Sequence, residues 1–292
     1  TFSFSQDVGT SFTADDVVVS LGSKGAFTRL SETRYTLLVT PPPGAVGSIT
    51  VSLAATDYLN TYGTSGAANA SVSQAFDAAP PTLAISSSVG AGAAAIGDLT
   101  LSFSFSEDVG TSFTADDVSV VFSAGTGQLM AFTRVSGSVW TLLIKPPAGA
   151  SGRISVQVAA GAFSDLAGNA NRAAANLTQD YDLVPPTLTL GSSAAGGVAT
   201  GPFLLSFNFS EDVGTSFTSD DVLVSFSAGT GGSKGSLTRV SATQATMLIT
   251  PPAGVKGQVS IGIAVGAFAD LAGNANVSSY FGIQQYNTTG GP

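Results

Sequence analysis

Oxygen is the donor this chain offers to chemistry in quantity. Its 292 residues include 19 aspartates and glutamates but no cysteine and no histidine. Thiolate and imidazole metal sites, Ser-His-Asp triads and HExxH zinc sites are therefore excluded. The carboxylates could hold a hard cation or, as a facing pair, cleave a glycosidic bond. They are not spread evenly. Three near-copies, FSFSQDVGTSFTADDV (2–17), FSFSEDVGTSFTADDV (103–118) and FNFSEDVGTSFTSDDV (207–222), each run from an apolar-alternating stretch into an acidic loop.

With 10 Lys+Arg against those acids the formal charge is −9, and no basic run occurs. No nucleic-acid partner is expected. Only 10% of residues are charged, and Ser, Thr, Gly and Ala dominate, a balance typical of secreted surface proteins. No apolar run reaches membrane-spanning length and no leader is visible, so a mature or partial chain without a membrane span is expected.

The elements that must position the acids follow from the repeat. KPPAGASG (145–152) matches TPPAGVKG (250–257), and DLAGNAN recurs at 165–171 and 270–276, giving a period near 105 residues. That is the size of a domain, not of a solenoid unit. The reading is three domains: 1–79, 80–184 and 185–292. Leu101, Phe103 and Phe105 alternate with serines, the period-two signature of a half-buried strand. Repeat 2 yields seven such segments: PTLAISSS, LTLSFSFSE, VSVVFS, MAFTRVS, VWTLLIK, RISVQVAA and ANLTQDYD. Seven short strands in about 100 residues describe a Greek-key β-sandwich of immunoglobulin type, here all-β and in tandem.

In such a sandwich the preceding linker, the B–C loop and the F–G loop meet at one pole. Every acid except Glu32, Asp57 and Asp98 falls at such a pole. The expected metal ligands are Asp77, Glu107, Asp108, Asp117 and Asp165 for repeat 2. For repeat 3 they are Asp182, Glu211, Asp212, Asp221 and Asp270. Carboxylates about 4 Å apart repel by about 1 kcal/mol even in water. Ca2+ is the expected neutralising ion. The competing reading is of solvated turn acids that satisfy backbone groups. Adjacent acids such as Asp116 and Asp117 cannot both face one site. Trp140 is expected in the core, and Arg29, Arg134 and Arg239 are expected to pair with neighbouring acids or carbonyls.

The succession FSEDV, FTADDV, FTRVSG, WTLLIKPPAG and GRISVQVAAGAFSDLAGNAN resembles the bacterial Ig-like repeats of large surface adhesins and other secreted proteins, over residues 80–289. Repeat 1 matches less well, with NTYGTSG (60–66) in place of DLAGNAN, and its F–G turn is expected to differ. The resemblance implies an extracellular, often calcium-rigidified array without catalysis. The function expected is a stiff stalk or filament that contacts a cell-surface or matrix ligand. The alternative is a set of spacer or ligand-binding modules of a larger secreted enzyme.

Repeats 2 and 3 open with PPTLAISSS and PPTLTLGSS before the Phe-rich strand, whereas repeat 1 starts at TFSFSQDVG and lacks a strand A. Its edge is expected to pair with neighbouring repeats of the same chain or, by self-association, with another copy.

Overall fold

The computed structural model describes residues 1–290. Repeat 1 contains β1 (Phe2–Ser3), β2 (Val17–Val19), β3 (Ser23–Arg29), β4 (Arg34–Thr40), β5 (Val46–Leu53) and β6 (Ala70–Asp77). Repeat 2 contains β7 (Leu83–Ser87), β8 (Leu99–Phe105), β9 (Val118–Phe122), β10 (Gln128–Ser136), β11 (Val139–Lys145), β12 (Ser151–Val158) and β13 (Ala175–Asp182). Repeat 3 contains β14 (Leu188–Ser192), β15 (Phe203–Phe209), β16 (Leu223–Phe226), β17 (Ser233–Ser241), β18 (Gln244–Thr250), β19 (Lys256–Ile263) and β20 (Tyr280–Asn287).

All seven segments expected in repeat 2 are strands. They form one antiparallel sheet in the order β10-β11-β8-β7 and a second in the order β13-β12-β9. Repeat 3 repeats the pattern as β14-β15-β18-β17 and β16-β19-β20. The phenylalanine–serine alternation fixes which face is inward. Leu101, Phe103 and Phe105 are buried against Trp140, Leu142 and Ile144, while Ser102 and Ser104 turn away from that core. β11 and β18 stop at Lys145 and Thr250, immediately before the proline pairs, which lack the N–H a ladder requires.

The chain beyond β7 and β14 changes sheets. Ala95 forms a parallel bridge with Tyr181 and Ala199 with Tyr286, so one segment pairs with an edge of each sheet on one side of its sandwich. Repeat 1 has neither contact. Its sheets are β1-β4-β3 and β2-β5-β6, with the outer edge of β1 unpaired. Gln179 and Tyr181 of β13 are buried, but the matching Gln74 and Phe76 of β6 are exposed and half-buried. Phe2 and Phe4 are likewise only half-buried.

The SAGTG insertion is secured in repeats 2 and 3 by a tyrosine hydroxyl. Tyr181 donates to the Ala124 carbonyl and Tyr286 donates to Ala228 at 2.6 Å. Repeat 1 lacks the insertion and carries Phe76, which has no hydroxyl, at that position.

Candidate metal centres at the domain junctions

The repeated acidic loop is first a folding device. Asp108 accepts the Gly110 N–H at 2.8 Å, closing a turn at a glycine whose φ is +59°. The Ser112 hydroxyl lies 2.8 Å from the Val109 carbonyl and 2.6 Å from that of Ser164, and accepts the Ser164 N–H at 3.0 Å. It thereby ties the B–C loop to the F–G loop. Ser11 and Ser216 make the same links in the other repeats. The second acid of each DD pair ends a short 3-10 turn and reaches back to cap its start. Asp117 accepts the Thr114 N–H and hydroxyl at 2.7 and 2.9 Å, and Asp221 does the same for Thr218.

These bonds correct the expected ligand set. Asp117 and Asp221 are capping residues. Asp108 pairs with Arg134 at 3.3 Å and Asp212 with Arg239, the same pairing Asp7 makes with Arg29 at 3.1 Å. Hydrogen bonds from the Gly214 N–H and from Arg239 hold the Asp212 carboxyl below its usual range, against the effect of burial. None of the four reaches the other acids of its pole, because the strand end turns Asp108 and Asp212 toward the neighbouring arginine strand. The arginines thus pair with acids as expected, and Trp140 is in the core at 3% exposure.

The remaining six acids converge. One carboxylate oxygen each from Asp77, Glu107 and Asp165 lie within 4.8 Å of one another, and so do those from Asp182, Glu211 and Asp270. Each trio takes the last residue of β6 or β13, where the linker begins, one residue just beyond β8 or β15 and one from the F–G loop. Among the described residues none of the six forms an ion pair. The donor set, hard oxygens with a spacing a 2.3–2.6 Å metal–oxygen bond can span, fits Ca2+.

The electrostatics are strained. Burial raises the Glu107 carboxyl above its ordinary range, and the charges of Asp165 and Asp77 add to the effect. Glu211 is raised by burial, then by Asp270 and Asp182. Asp165 is also opposed by burial, but hydrogen bonds from the Asn169 side chain and from the backbone of Asn169, Ala167 and Gly168 outweigh it and hold the carboxyl low.

Asn169 is the residue that sequence reasoning missed. It reads as a turn former, yet only Gly168, at φ +91°, takes the left-handed conformation. The Asn169 amide donates to Asp165 at 2.7 Å and to the Asp77 carbonyl at 3.3 Å, joining loop to linker across the junction. Asn274 repeats both contacts with Asp270 and Asp182 at 2.8 and 3.0 Å.

The F–G turn of repeat 1 shares part of the frame of the other two and lacks part of it. Leu59 bridges Ser65 as Ser164 bridges Ala170, and Gly63 has φ +79°, but Gly66 stands where the buried Asn171 accepts the Phe163 N–H and donates to the Ala159 and Ala173 carbonyls. The charge changes too. Gln6 and Asn60 stand where Glu107 and Asp165 stand in repeat 2, and the two amides bond to each other at 2.6 Å.

Among the described residues, no helix is long and apolar enough to cross a membrane. Comparison with curated proteins finds no match. Among solved structures the chain is similar to the Escherichia coli adhesin FdeC, at 15% identity and a TM-score of 0.42, over 94% of this chain and 85% of that one. It is similar to domains 1–6 of the surface layer protein SbsC at 10% identity and a TM-score of 0.25, over 97% of this chain and 52% of that one. An endo-fucoidan hydrolase of glycoside hydrolase family 107 aligns at 14% identity and a TM-score of 0.22, with 93% of this chain spanning 38% of the hydrolase. The model of the bacterial Ig-like domain matches residues 77–181 and 182–287, each match opening on a linker aspartate. The sandwich topology and these two tandem matches, which cover most of the sequence, place the chain in the bacterial Ig-like domain family.

Proposed function

We propose that this chain is a non-catalytic, extracellular structural or adhesive protein whose tandem domains form a stiff stalk or filament, with Ca2+ bridging successive domains. The ligands would be Asp77, Glu107 and Asp165 at one junction and Asp182, Glu211 and Asp270 at the other. The observation that carries the reading is the convergence of linker and loop carboxylates, three per junction, with no cationic side chain paired to them. A cation held by both the linker and the loops removes the linker's bending freedom. The proline pairs just after Asp77 and Asp182 already restrict that freedom. The acids sit in junction loops rather than across a cleft, which favours a mechanical role over catalysis.

The open edge of repeat 1 fits the same reading. Phe2, Phe4, Val51, Leu53, Tyr58 and Val72 line a groove of about 250 Å3 beside β1. In repeats 2 and 3 the same side is covered by Leu83 and Ile85 of β7 or Leu188 and Leu190 of β14. A strand of that kind from a neighbouring repeat of the same chain is the proposed occupant.

Small-angle scattering of the full chain with Ca2+ and with chelator tests the proposal. A longer, less flexible particle in Ca2+ is expected. Identical scattering profiles and an unchanged thermal midpoint would contradict it.

A further inference from the structure

One position in β4, β11 and β18, the third strand after β1, β8 and β15, differs in all three repeats. Tyr35, Trp140 and Ala245 occupy it, each opposite an arginine on the edge strand and a phenylalanine on the other side: Arg29 and Phe2, Arg134 and Phe103, Arg239 and Phe207. In repeat 1 the Tyr35 ring lies 5.9, 5.2 and 5.6 Å from the rings of Phe4, Phe12 and Phe27. Its hydroxyl donates to the Gly9 carbonyl at 2.7 Å, and the Arg29 guanidinium sits 5.9 Å above the ring. In repeat 2 the Trp140 ring lies 5.3 and 5.9 Å from Phe105 and Phe113, with Arg134 at 5.2 Å.

Repeat 3 keeps the surroundings and omits the ring. Phe209 and Phe217 remain edge-to-face at 5.1 Å, Leu237 replaces the third phenylalanine, and Ala245 leaves the centre unfilled. The result is a cleft of about 330 Å3 lined by Phe209, Gly214, Phe217, Leu237, Arg239 and Ala245. Arg239 is held at its rim by Asp212 and by the Ala242 carbonyl at 2.8 Å, so the guanidinium is positioned before anything binds. A dry apolar cavity of about 150 Å3 already accommodates benzene.

We propose that this cleft is a binding site for one planar aromatic ring carrying an O–H or N–H donor, a phenol or an indole. The ring packs edge-to-face on Phe209 and Phe217. It lies beneath the Arg239 guanidinium, whose attraction to an aromatic face is the contact seen at Tyr35 and Trp140. The ring's donor is directed to the Gly214 carbonyl, the counterpart of the Gly9 carbonyl that Tyr35 uses. The chain itself supplies the argument for this ligand class, because two of its three domains fill the same space with a phenol or an indole of their own. The site is independent of the metal centres and of the reading built on them.

Two-dimensional amide NMR of the full chain, titrated with 4-methylphenol, 3-methylindole and the non-aromatic control 4-methylcyclohexanol, tests the proposal. Saturable shifts confined to Gly214, Leu237, Arg239 and Ala245 are expected, with the aromatic ligands binding about threefold or more tighter than the control, as a cation–π contact with an exposed guanidinium gives. Ala245→Trp should abolish the shifts. Should that variant misfold, Leu237→Phe, which restores the phenylalanine of the other repeats, should weaken them in the same direction. Trp140→Ala should create a second set of shifts around Gly110 and Phe132. A parallel titration with N-acetyltyrosinamide identifies the source: saturation at the same residues indicates that a tyrosine of a polypeptide enters, and saturation by the free phenol alone indicates a small molecule. Absence of saturation with every aromatic ligand, or shifts indifferent to Ala245→Trp and Leu237→Phe, would overturn the proposal.

Discussion

The pole of repeat 1 and the poles of repeats 2 and 3 share one frame and differ in charge. All three use the same serine to tie loop to loop, the same aspartate to close the first turn and the same left-handed glycine in the F–G turn. Into that frame repeat 1 places Gln6 and Asn60, which satisfy each other, whereas repeats 2 and 3 place Glu107 with Asp165 and Glu211 with Asp270 beside a linker aspartate. The frame therefore does not need the acids. Neutral amides suffice for folding in repeat 1, so the carboxylates of repeats 2 and 3 are available to a partner, and the proposed one is a shared cation.

The largest effect that would sharpen this contrast comes from removing the F–G acid itself. Asp165→Ala leaves the half-buried Asn169 N–H and side-chain amide without their acceptor. It should cost repeat 2 about 1–3 kcal/mol in chelator and more in Ca2+, where a metal ligand is lost as well. Asn60→Ala removes the acceptor for the Tyr62 and Thr64 N–H groups in an exposed turn and should cost less, with no dependence on Ca2+. Thermal denaturation under both conditions measures the difference. Equal Ca2+ dependence of the two variants would break the comparison.

Next in size, Glu107→Gln converts the repeat 2 pole toward that of repeat 1. Ca2+ affinity at that junction should fall by about tenfold or more with the loss of a ligand charge. The same variant should be slightly more stable than the parent in chelator, because the substitution removes a carboxylate that burial and two like charges disfavour. Destabilisation in chelator would contradict the electrostatic account.

A smaller effect is expected from pH. Glu107 and Glu211 have folded-state values raised above the ordinary carboxylate range. The stabilisation linked to their protonated forms is complete below the unfolded value and is lost as pH rises through the raised folded value. Metal-free protein should therefore gain stability at the junctions on mild acidification, and Ca2+ affinity should weaken over the same window as protons compete. Asp165, held low, acts in the opposite sense: its contribution is lost only when pH falls through its depressed value. The pole of repeat 1 should be silent in the upper window, a point that domain-resolved NMR titration can check.

How much of this was legible in the sequence depends on distance along the chain. The strands and their inward faces were readable, because Leu101, Phe103 and Phe105 alternate with serines and proline pairs stop β11 and β18. The six converging acids followed from loop geometry common to any such sandwich. Asp117 and Asp221 were misread because a Thr-x-x-Asp cap and a metal loop look alike on paper, and Asp108 and Asp212 because their arginine partners lie 26 and 27 residues away on another strand. The reach of Asn169 to a carbonyl 92 residues earlier has no local signature at all. In the F–G turn of repeat 1 an Asn side chain accepts the turn's N–H groups as an Asp does, while Gly66 replaces the buried Asn171 that ties the base of the turn in repeat 2.

The smallest expected effect concerns what the poles have in common. Arg134→Ala and Arg29→Ala each remove an exposed ion pair and a cation–π contact, and each should cost about 1 kcal/mol or less. Neither should alter Ca2+ binding. A larger loss of affinity in Arg134→Ala would mean that Asp108 belongs to the metal centre after all.

Calorimetric titration of the full chain with Ca2+, beside the Glu107→Gln/Glu211→Gln double variant, tests the central claim most directly. The account predicts two sites with dissociation constants of about 10⁻⁴ to 10⁻³ M, the range of exposed extracellular modules. Both sites should be lost or strongly weakened in the double variant, with its fold intact by circular dichroism. A parent chain that gives no saturable binding, or a double variant that binds as the parent does, would contradict it.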